Sequence, residues 1–501
     1  MANIIYKTSY LPDWIAVAEN MRSKLDWEPV YWLGIEPYRQ EVKEVFPDIV
    51  YHTSTKASRG IPSTDLDSHQ SIPPIDKEVL EKYQEYEPIA LKMMGRQDVG
   101  NIMGGKFGYD ERKRLYRTCV MYWETIINKF DIDAAVFTFA PHMIFDYILY
   151  IVCIENNVDT AMFTVTGMPN NYYIRSKIDQ TPEELHKIGS DIDLNEDVNR
   201  YLENLRADYE TGKPSYMMSY DLKEYLSKIP DISSYPSYMT HVINMVVPNS
   251  ESVKHYKEKD KRIEDSSMNF FQSLIYNIRS ERYKSRLSKH YDSITGDINF
   301  NSDYVFFTLH YQPERTTCPE GGVFVDQYIA VNLLSNCIPD DWKLYVKEHP
   351  HQTSQKYNGE LGRKKYMYDD LNELDSVTLV DTDVESFDLI DNAQATATIT
   401  GTSGWESINR GVPAIVFGSG WYRDCPGCIH VETQEEVKQA IKKVQSGYSV
   451  HKTDIRRFMN ELEKISQRVY VSSGTKNGSI TEEENIKNLS TALSEWWLKK
   501  E

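Results

Sequence analysis

The sequence predicts an α/β protein made of two doubly wound, Rossmann-like domains facing a cleft, with a helical extension between them. Three observations carry this reading. Strand-type and helix-type runs alternate in both halves of the chain, which implies parallel sheets with helices on their faces. The 501 residues are too many for one ordinary hydrophobic core. Between the alternating halves, residues 176–297 are strongly charged, rich in tyrosine and mostly helical in pattern.

Taken in order, ANIIYKTS, DWIAVAENMRSKL and EPVYWLGI read as strand, helix and strand, and residues 50–90 as irregular and polar. DERKRLYRTCVMYWETIINKF has apolar residues at helical spacing, and DAAVFTF is a continuous β-type run. The helix HMIFDYILYIVCIENN and the strand TAMFTV complete another βαβ unit, so residues 1–175 form the first domain. The extension and linker occupy 176–297. Over 298–450 the alternation returns, with strands at 303–309, WKLYVKEH, VTLVD, ATATIT and AIVFG, and helices near 325–337, at ESFDLIDNA and at GWESINRG. Residues 451–501 read as two helices.

Composition narrows the function classes. Hydrophobic residues at 40% and charged residues at 26% are those of a globular protein. With 75 acidic against 56 basic residues the surface repels phosphate backbones, which excludes nucleic acid as the general partner. The longest apolar run, Tyr147 to Ile154, is far shorter than the roughly 20 residues that span a bilayer. The N-terminus lacks a basic segment followed by an apolar one, so a cytoplasmic location is expected. Six scattered cysteines agree with a reducing compartment. Cys425 and Cys428 in CPGC lack the second pair that a zinc site needs, and a turn at Pro426 and Gly427 accounts for the spacing.

Open α/β sheets bind ligands at the carboxyl ends of their strands, so the informative residues are those just after strands. TGTSG, Thr400 to Gly404, joins a strand to a helix, where unpaired amides and the helix dipole favour an anion such as phosphate. Gly401 and Gly404 permit close approach, and the hydroxyls of Thr400, Thr402 and Ser403 can donate to phosphate oxygens. Glu406, one turn on, can accept from two ribose hydroxyls. A plain helix start, with Ser403 as cap and Glu406 at the third helical position, explains the same residues.

In VKEHPH, His349 ends a strand at Pro350 beside Lys347, and a histidine donating there to a phosphate oxygen would stabilise leaving-group charge, a bond that protonation can strengthen near neutral pH. His310, Gln312 and Glu314 follow the first strand of the second domain, where they could read a nucleobase or sugar, or form a polar loop. In the first domain Asp98 is the favoured acceptor-activating base, with Arg96, His142 and Asp146 nearby in the sequence. DTD, Asp381 to Asp383, reads as a helix start with Asp383 as cap and Ser386 at the third position, so no metal is expected.

TLHYQPERTT, VKEHPH and TITGTSGWESINRGVPAIVFG together resemble the bacterial capsule polysaccharide biosynthesis family, which includes transferases for 3-deoxy-D-manno-octulosonic acid (Kdo). The resemblance implies a GT-B fold, an acceptor glycan on the first domain and a nucleotide-activated sugar on the second. It also implies a CMP-linked donor whose phosphate is held by His349, Thr402 and Ser403, with Asp98 as the acidic catalytic residue and no cofactor. A lipid-linked acceptor would bring the protein to the inner face of the membrane. Three alternatives share these features: a CDP-polyol phosphotransferase of the teichoic-acid type, a nucleotide-sugar 2-epimerase and a non-catalytic scaffold of capsule assembly.

Overall fold

The computed structural model describes residues 1–8, 11–66, 76–96, 108–168, 170–189, 192–207, 270–314, 316–354, 357, 359–476 and 478–499. Two sheets organise it. The first contains β1 (Ala2–Lys7), β2 (Trp27–Gly34), β3 (Val50–Thr53), β4 (Ala134–Phe137), β5 (Asp159–Val165), β6 (Asn171–Arg175) and β13 (Gln467–Arg468), in the order β13-β6-β5-β4-β1-β2-β3. The second contains β7 (Tyr304–Thr308), β8 (Lys343–Lys347), β9 (Val377–Val380), β10 (Ala395–Thr398), β11 (Ala414–Val416) and β12 (Cys428–His430), in the order β12-β11-β10-β7-β8-β9. Every pairing in the second sheet is parallel. In the first, only β6 is reversed, running antiparallel to both of its neighbours, β5 and β13.

Both sheets are covered on both faces, as parallel sheets must be. Alternate residues of one strand therefore enter different cores. In β1, Ile5 packs with the helix Tyr109–Phe130, whereas Ile4 and Tyr6 pack with the helices Asp13–Leu25 and Glu482–Leu498. In β7, Val305 and Phe307 face one layer, and Tyr304 and Phe306 the other. Each fully buried side chain of this size contributes roughly 1.5–3 kcal/mol.

Several elements differ from the sequence expectation. Residues 50–90 contain the buried strand β3, whose four residues are too few to show a period. The helix Lys365–Asn372 separates β8 from β9 and supplies the crossover that parallel strands require. The CPGC segment makes the expected turn, with Cys428 N–H donating to the Cys425 carbonyl at 2.9 Å and Gly427 at φ +101°, and then continues into β12. Asp383 does not cap a helix: the helix is Ser386–Asp391, and the Asp383 amide donates to Asp381 Oδ1 at 2.8 Å. The last 50 residues form two helices, but β13 and the helix Glu482–Leu498 cross back to complete the first sheet and its core.

The two lobes touch through a shared apolar cluster. Met168, Tyr173, Leu185 and Leu202 of the first pack with Trp405, Ile408, Tyr422 and Phe458. Beside it, the buried Arg175 guanidinium pairs with Glu320 and donates to the Ser419 carbonyl at 3.0 Å.

Candidate functional site

In the second sheet, β8 and β9 lie on one side of β7, and β10, β11 and β12 on the other. Strand order therefore reverses between β7 and β10, and a crevice opens at the carboxyl ends there. The residues that follow β7, β8 and β10 are 308–314, 347–349 and 398–403, so three of the four sequence-derived groups meet at one edge.

His310 is the hub. Its main chain is clamped by Gln327, whose Oε1 accepts from His310 N–H at 2.8 Å and whose Nε2 donates to His310 O at 3.2 Å. The buried ring has Nδ1 3.2 Å from Glu314 and Nε2 3.0 Å from Thr398 Oγ1. The amides of Ile399 and Thr400 also point at Nε2, each at 3.3 Å. Burial alone would raise the Glu314 carboxyl, but the His310 ring bonded to it holds it below the usual range. One amide of the expected phosphate cradle, that of Thr400, is thus occupied by an imidazole of the protein itself.

The helix Thr402–Arg410 begins two residues earlier than its sequence suggested, with Gly401 as N-cap and no capping side chain. Ser403 is therefore the second helical residue, and its hydroxyl lies 2.6 Å from Thr308 Oγ1. Thr400 Oγ1 is buried and has no hydrogen-bond partner among the described residues. The small size of the glycines serves packing within the protein. A Cβ at Gly401 would lie 2.6 Å from Thr398 Oγ1 and 3.0 Å from His310 Cε1. One at Gly404 would lie 2.5 Å from the Tyr422 hydroxyl, which donates to Gly401 O. Gly404 thus seats Tyr422 and does not admit a ligand.

His349 stands at the end of β8, its ring 6.3 Å from Tyr311 and 4.8 Å from His351. Its Nδ1 accepts from the His351 amide at 3.1 Å, which leaves Nε2 as the nitrogen that carries hydrogen. Burial, and then the neighbouring His351, hold the imidazole down to about 3, so it is a neutral donor at physiological pH. Strengthening of that bond by protonation is therefore disfavoured, because desolvation outweighs the attraction of the Glu314 carboxylate.

Beneath it runs a buried ion pair that sequence reasoning missed. Arg363 Nε lies 2.7 Å from Glu348 Oε2, Arg363 Nη2 donates to His310 O at 2.9 Å, and the Tyr368 hydroxyl donates to Glu348 at 2.6 Å. The pair joins the loop carrying His310 to the strand carrying His349. A carboxylate directly before a histidine, at the end of a buried strand, was the available signal.

Other expected site residues are used elsewhere. Lys347 donates to the Val384 carbonyl and to Ser386 Oγ at 3.1 Å, and burial lowers its ammonium to about 8. Gln312 lies buried, bonded to Gln352 and Thr317, so it fixes the loop and reads no base. Glu406 is 6% exposed, and burial raises its carboxyl to about 7 against the opposing Thr402 hydroxyl and Arg410. In this structure it faces the interior and cannot reach a ribose. Asp98 lies outside the described residues. In the first lobe, Asp146 Oδ1 accepts from Met143 N–H at 2.7 Å, and its other oxygen lies 2.8 Å from Lys7 Nζ. His142 Nδ1 lies 2.9 Å from the Ala140 carbonyl.

Among the described residues no group of three or more His, Cys, Asp or Glu side chains is arranged to hold a metal ion. No described helix is long and apolar enough to cross a membrane.

Fold and site together define a two-lobed, doubly wound α/β protein with a polar mouth at the strand-order reversal of its second sheet. Residues 326–468 match the family described as capsule polysaccharide biosynthesis protein. The resemblance seen in VKEHPH and TITGTSGWESINRGVPAIVFG holds over this segment, while TLHYQPERTT lies ahead of it. No curated protein matches the chain.

Among solved structures, the UDP-GlcNAc 2-epimerase of Methanocaldococcus jannaschii is 15% identical, with 92% of this chain and 98% of that one covered and a TM-score of 0.25. The Thermosulfurimonas dismutans KpsC, beta Kdo 2,7 transferase, is 13% identical over 42% of this chain and 60% of its own, at a TM-score of 0.23. The MnaA–UDP co-structure from S. aureus is 12% identical over 100% and 97%, at 0.22. Overlap of this extent carries no information on substrate.

Proposed function

We propose that the protein is a glycosyltransferase of capsule or surface polysaccharide assembly, using a nucleotide-activated sugar, with CMP-linked Kdo or a related 2-keto-3-deoxy sugar as the donor. The observation that supports it is the meeting of His310, His349 and the Gly401–Ser403 turn at the strand-order reversal, within and beside the segment of capsule-family similarity. The Ser403 amide, at the second helical position, is an orphan donor beside the positive end of the helix dipole. His349 Nε2–H adds a second, neutral donor for the departing phosphate. The first lobe would present the glycan or lipid-linked glycan, and Asp98 would activate its hydroxyl. Charge on the leaving group is met by hydrogen bonds alone in this scheme, so no metal or cofactor is required.

A thermal-stability panel with CMP, CDP and UDP tests the reading. A bound nucleotide at 100 times its dissociation constant should add about 2.7 kcal/mol. Stability unmoved by every nucleotide would leave a non-catalytic assembly role. Product analysis separates the chemistries, since a polyol-phosphate polymerase forms a phosphodiester and a 2-epimerase needs no acceptor.

A further inference from the structure

A chain of hydrogen bonds leads from the interior of the second lobe to the mouth, and counting its protons fixes its direction. Glu314, an ionised carboxylate, can only accept, so His310 Nδ1 carries the ring proton. Nε2 faces two amide donors, those of Ile399 and Thr400, so it carries the lone pair. The two ends of the ring thus require the same tautomer independently. Thr398 must then donate its only hydroxyl proton to Nε2. Its oxygen accepts from Gly401 N–H at 3.3 Å and from the Thr308 hydroxyl at 3.3 Å. Thr308 has one proton, and that bond takes it. The 2.6 Å contact between Thr308 and Ser403 therefore needs Ser403 as the donor. Ser403 is half-buried at the crevice and has no further proton, so it presents only lone pairs to a ligand.

We infer that Ser403 is a hydrogen-bond acceptor for a substrate hydroxyl, on the ribose of the nucleotide or on the transferred sugar, held in that role by the relay Glu314–His310–Thr398–Thr308. This rests on the nucleotide-sugar reading above and alters one part of it. The Ser403 amide serves the phosphate, whereas its side chain selects for a polyol. Glu406, the residue whose type suits that task, is turned inward. His310 acts as a positioning residue: it reaches no ligand itself but sets which way three hydroxyls point.

The experiment uses the full chain and calorimetric affinities for CMP, 2′-deoxy-CMP, 3′-deoxy-CMP and CMP-Kdo. Ser403→Ala should weaken CMP roughly three- to tenfold while leaving one of the deoxy nucleotides unchanged, if the hydroxyl is on the ribose. A loss confined to CMP-Kdo places it on the sugar. Thr308→Val removes the relay while keeping the side-chain shape, which frees the Ser403 proton, so the preference for the hydroxyl-bearing ligand should collapse. Thr308→Ser should retain that preference, which a purely structural role for Thr308 would not require. Equal weakening of all four ligands by Ser403→Ala, or no change in any, overturns the assignment and leaves nucleotide binding standing. Failure of the unsubstituted protein to bind any of the four overturns the nucleotide reading itself, and this assignment with it.

Discussion

The two sheets reverse strand order at equivalent places, between β1 and β4 in the first and between β7 and β10 in the second. In the first, Lys7 at the end of β1 meets Asp146 at the start of the helix that follows β4, and both side chains are under 10% exposed. In the second, the same positions carry threonines, an imidazole and a half-exposed serine. A buried ion pair satisfies itself and holds its lobe shut. A string of hydroxyls leaves its last member short of a partner and facing the cleft. One topology thus builds a sealed edge and an open one, and only the open one can be remade around a ligand without leaving a charge uncompensated.

The comparison can be broken most severely beneath the open edge. Arg363→Ala strands the Glu348 carboxylate and removes one of the two donors to His310 O, and should destabilise the protein by about 3–5 kcal/mol in chemical denaturation. Nucleotide binding should be lost in whatever remains folded. If stability holds, the two edges do not differ in what supports them. At the sealed edge, Asp146→Asn keeps the oxygen that accepts from Met143 but removes the charge opposite Lys7, at a cost of about 3 kcal/mol. Nucleotide affinity of the folded fraction should stay unchanged, because the sealed edge touches no ligand in this scheme.

Comparable with the change at the sealed edge is a pH effect. Burial raises the Glu406 carboxyl from 4.5 to about 7, so the folded state holds a proton that the unfolded chain has released. Its stabilising contribution is complete below pH 4.5 and is lost as pH rises through 7, on the order of 3 kcal/mol. Denaturation midpoints of Glu406→Gln should show a flatter dependence across that window than the unsubstituted protein. Identical slopes would mean that the carboxylate is solvated and able to meet a ribose after all. The smallest effect is expected at Gly404→Ala, where the gain in helix propensity, about 1 kcal/mol, opposes displacement of the Tyr422 hydroxyl. A net loss near 1 kcal/mol in thermal unfolding would show that packing outweighs propensity there.

Much of the architecture was legible. The alternation at ANIIYKTS–DWIAVAENMRSKL–EPVYWLGI and from 303 to 418 reports the two parallel sheets, because strands buried on both faces must be continuously apolar. β3 and β12 were not, since runs of three or four residues carry too few periods to register. The site was legible in place but not in detail. His310, His349 and Ser403 follow strands that turn out to be neighbours, yet no spacing reveals that His310 Nε2 would occupy the amides of Ile399 and Thr400. Lys347 and Gln312 misled for a common reason. A polar residue beside a crevice reads the same in sequence whether it points outward or, as here, bonds inward to Val384 or Gln352. Thr308 and Thr398 were invisible because threonine is an ordinary strand residue.

The path of the last fifty residues bears on how the protein is made. Trp14 donates its indole hydrogen to the Val471 carbonyl at 3.1 Å, Asn485 donates to Asp13 at 2.9 Å, and Trp27 is walled by Trp496 and Trp497. During translation the first lobe therefore emerges with one flank uncovered and waits for most of the remaining polypeptide to leave the ribosome before that flank can close. Each nascent chain carries an exposed tryptophan-lined surface through that interval, and a message cut short before codon 467 would yield a product fixed in the same incomplete state.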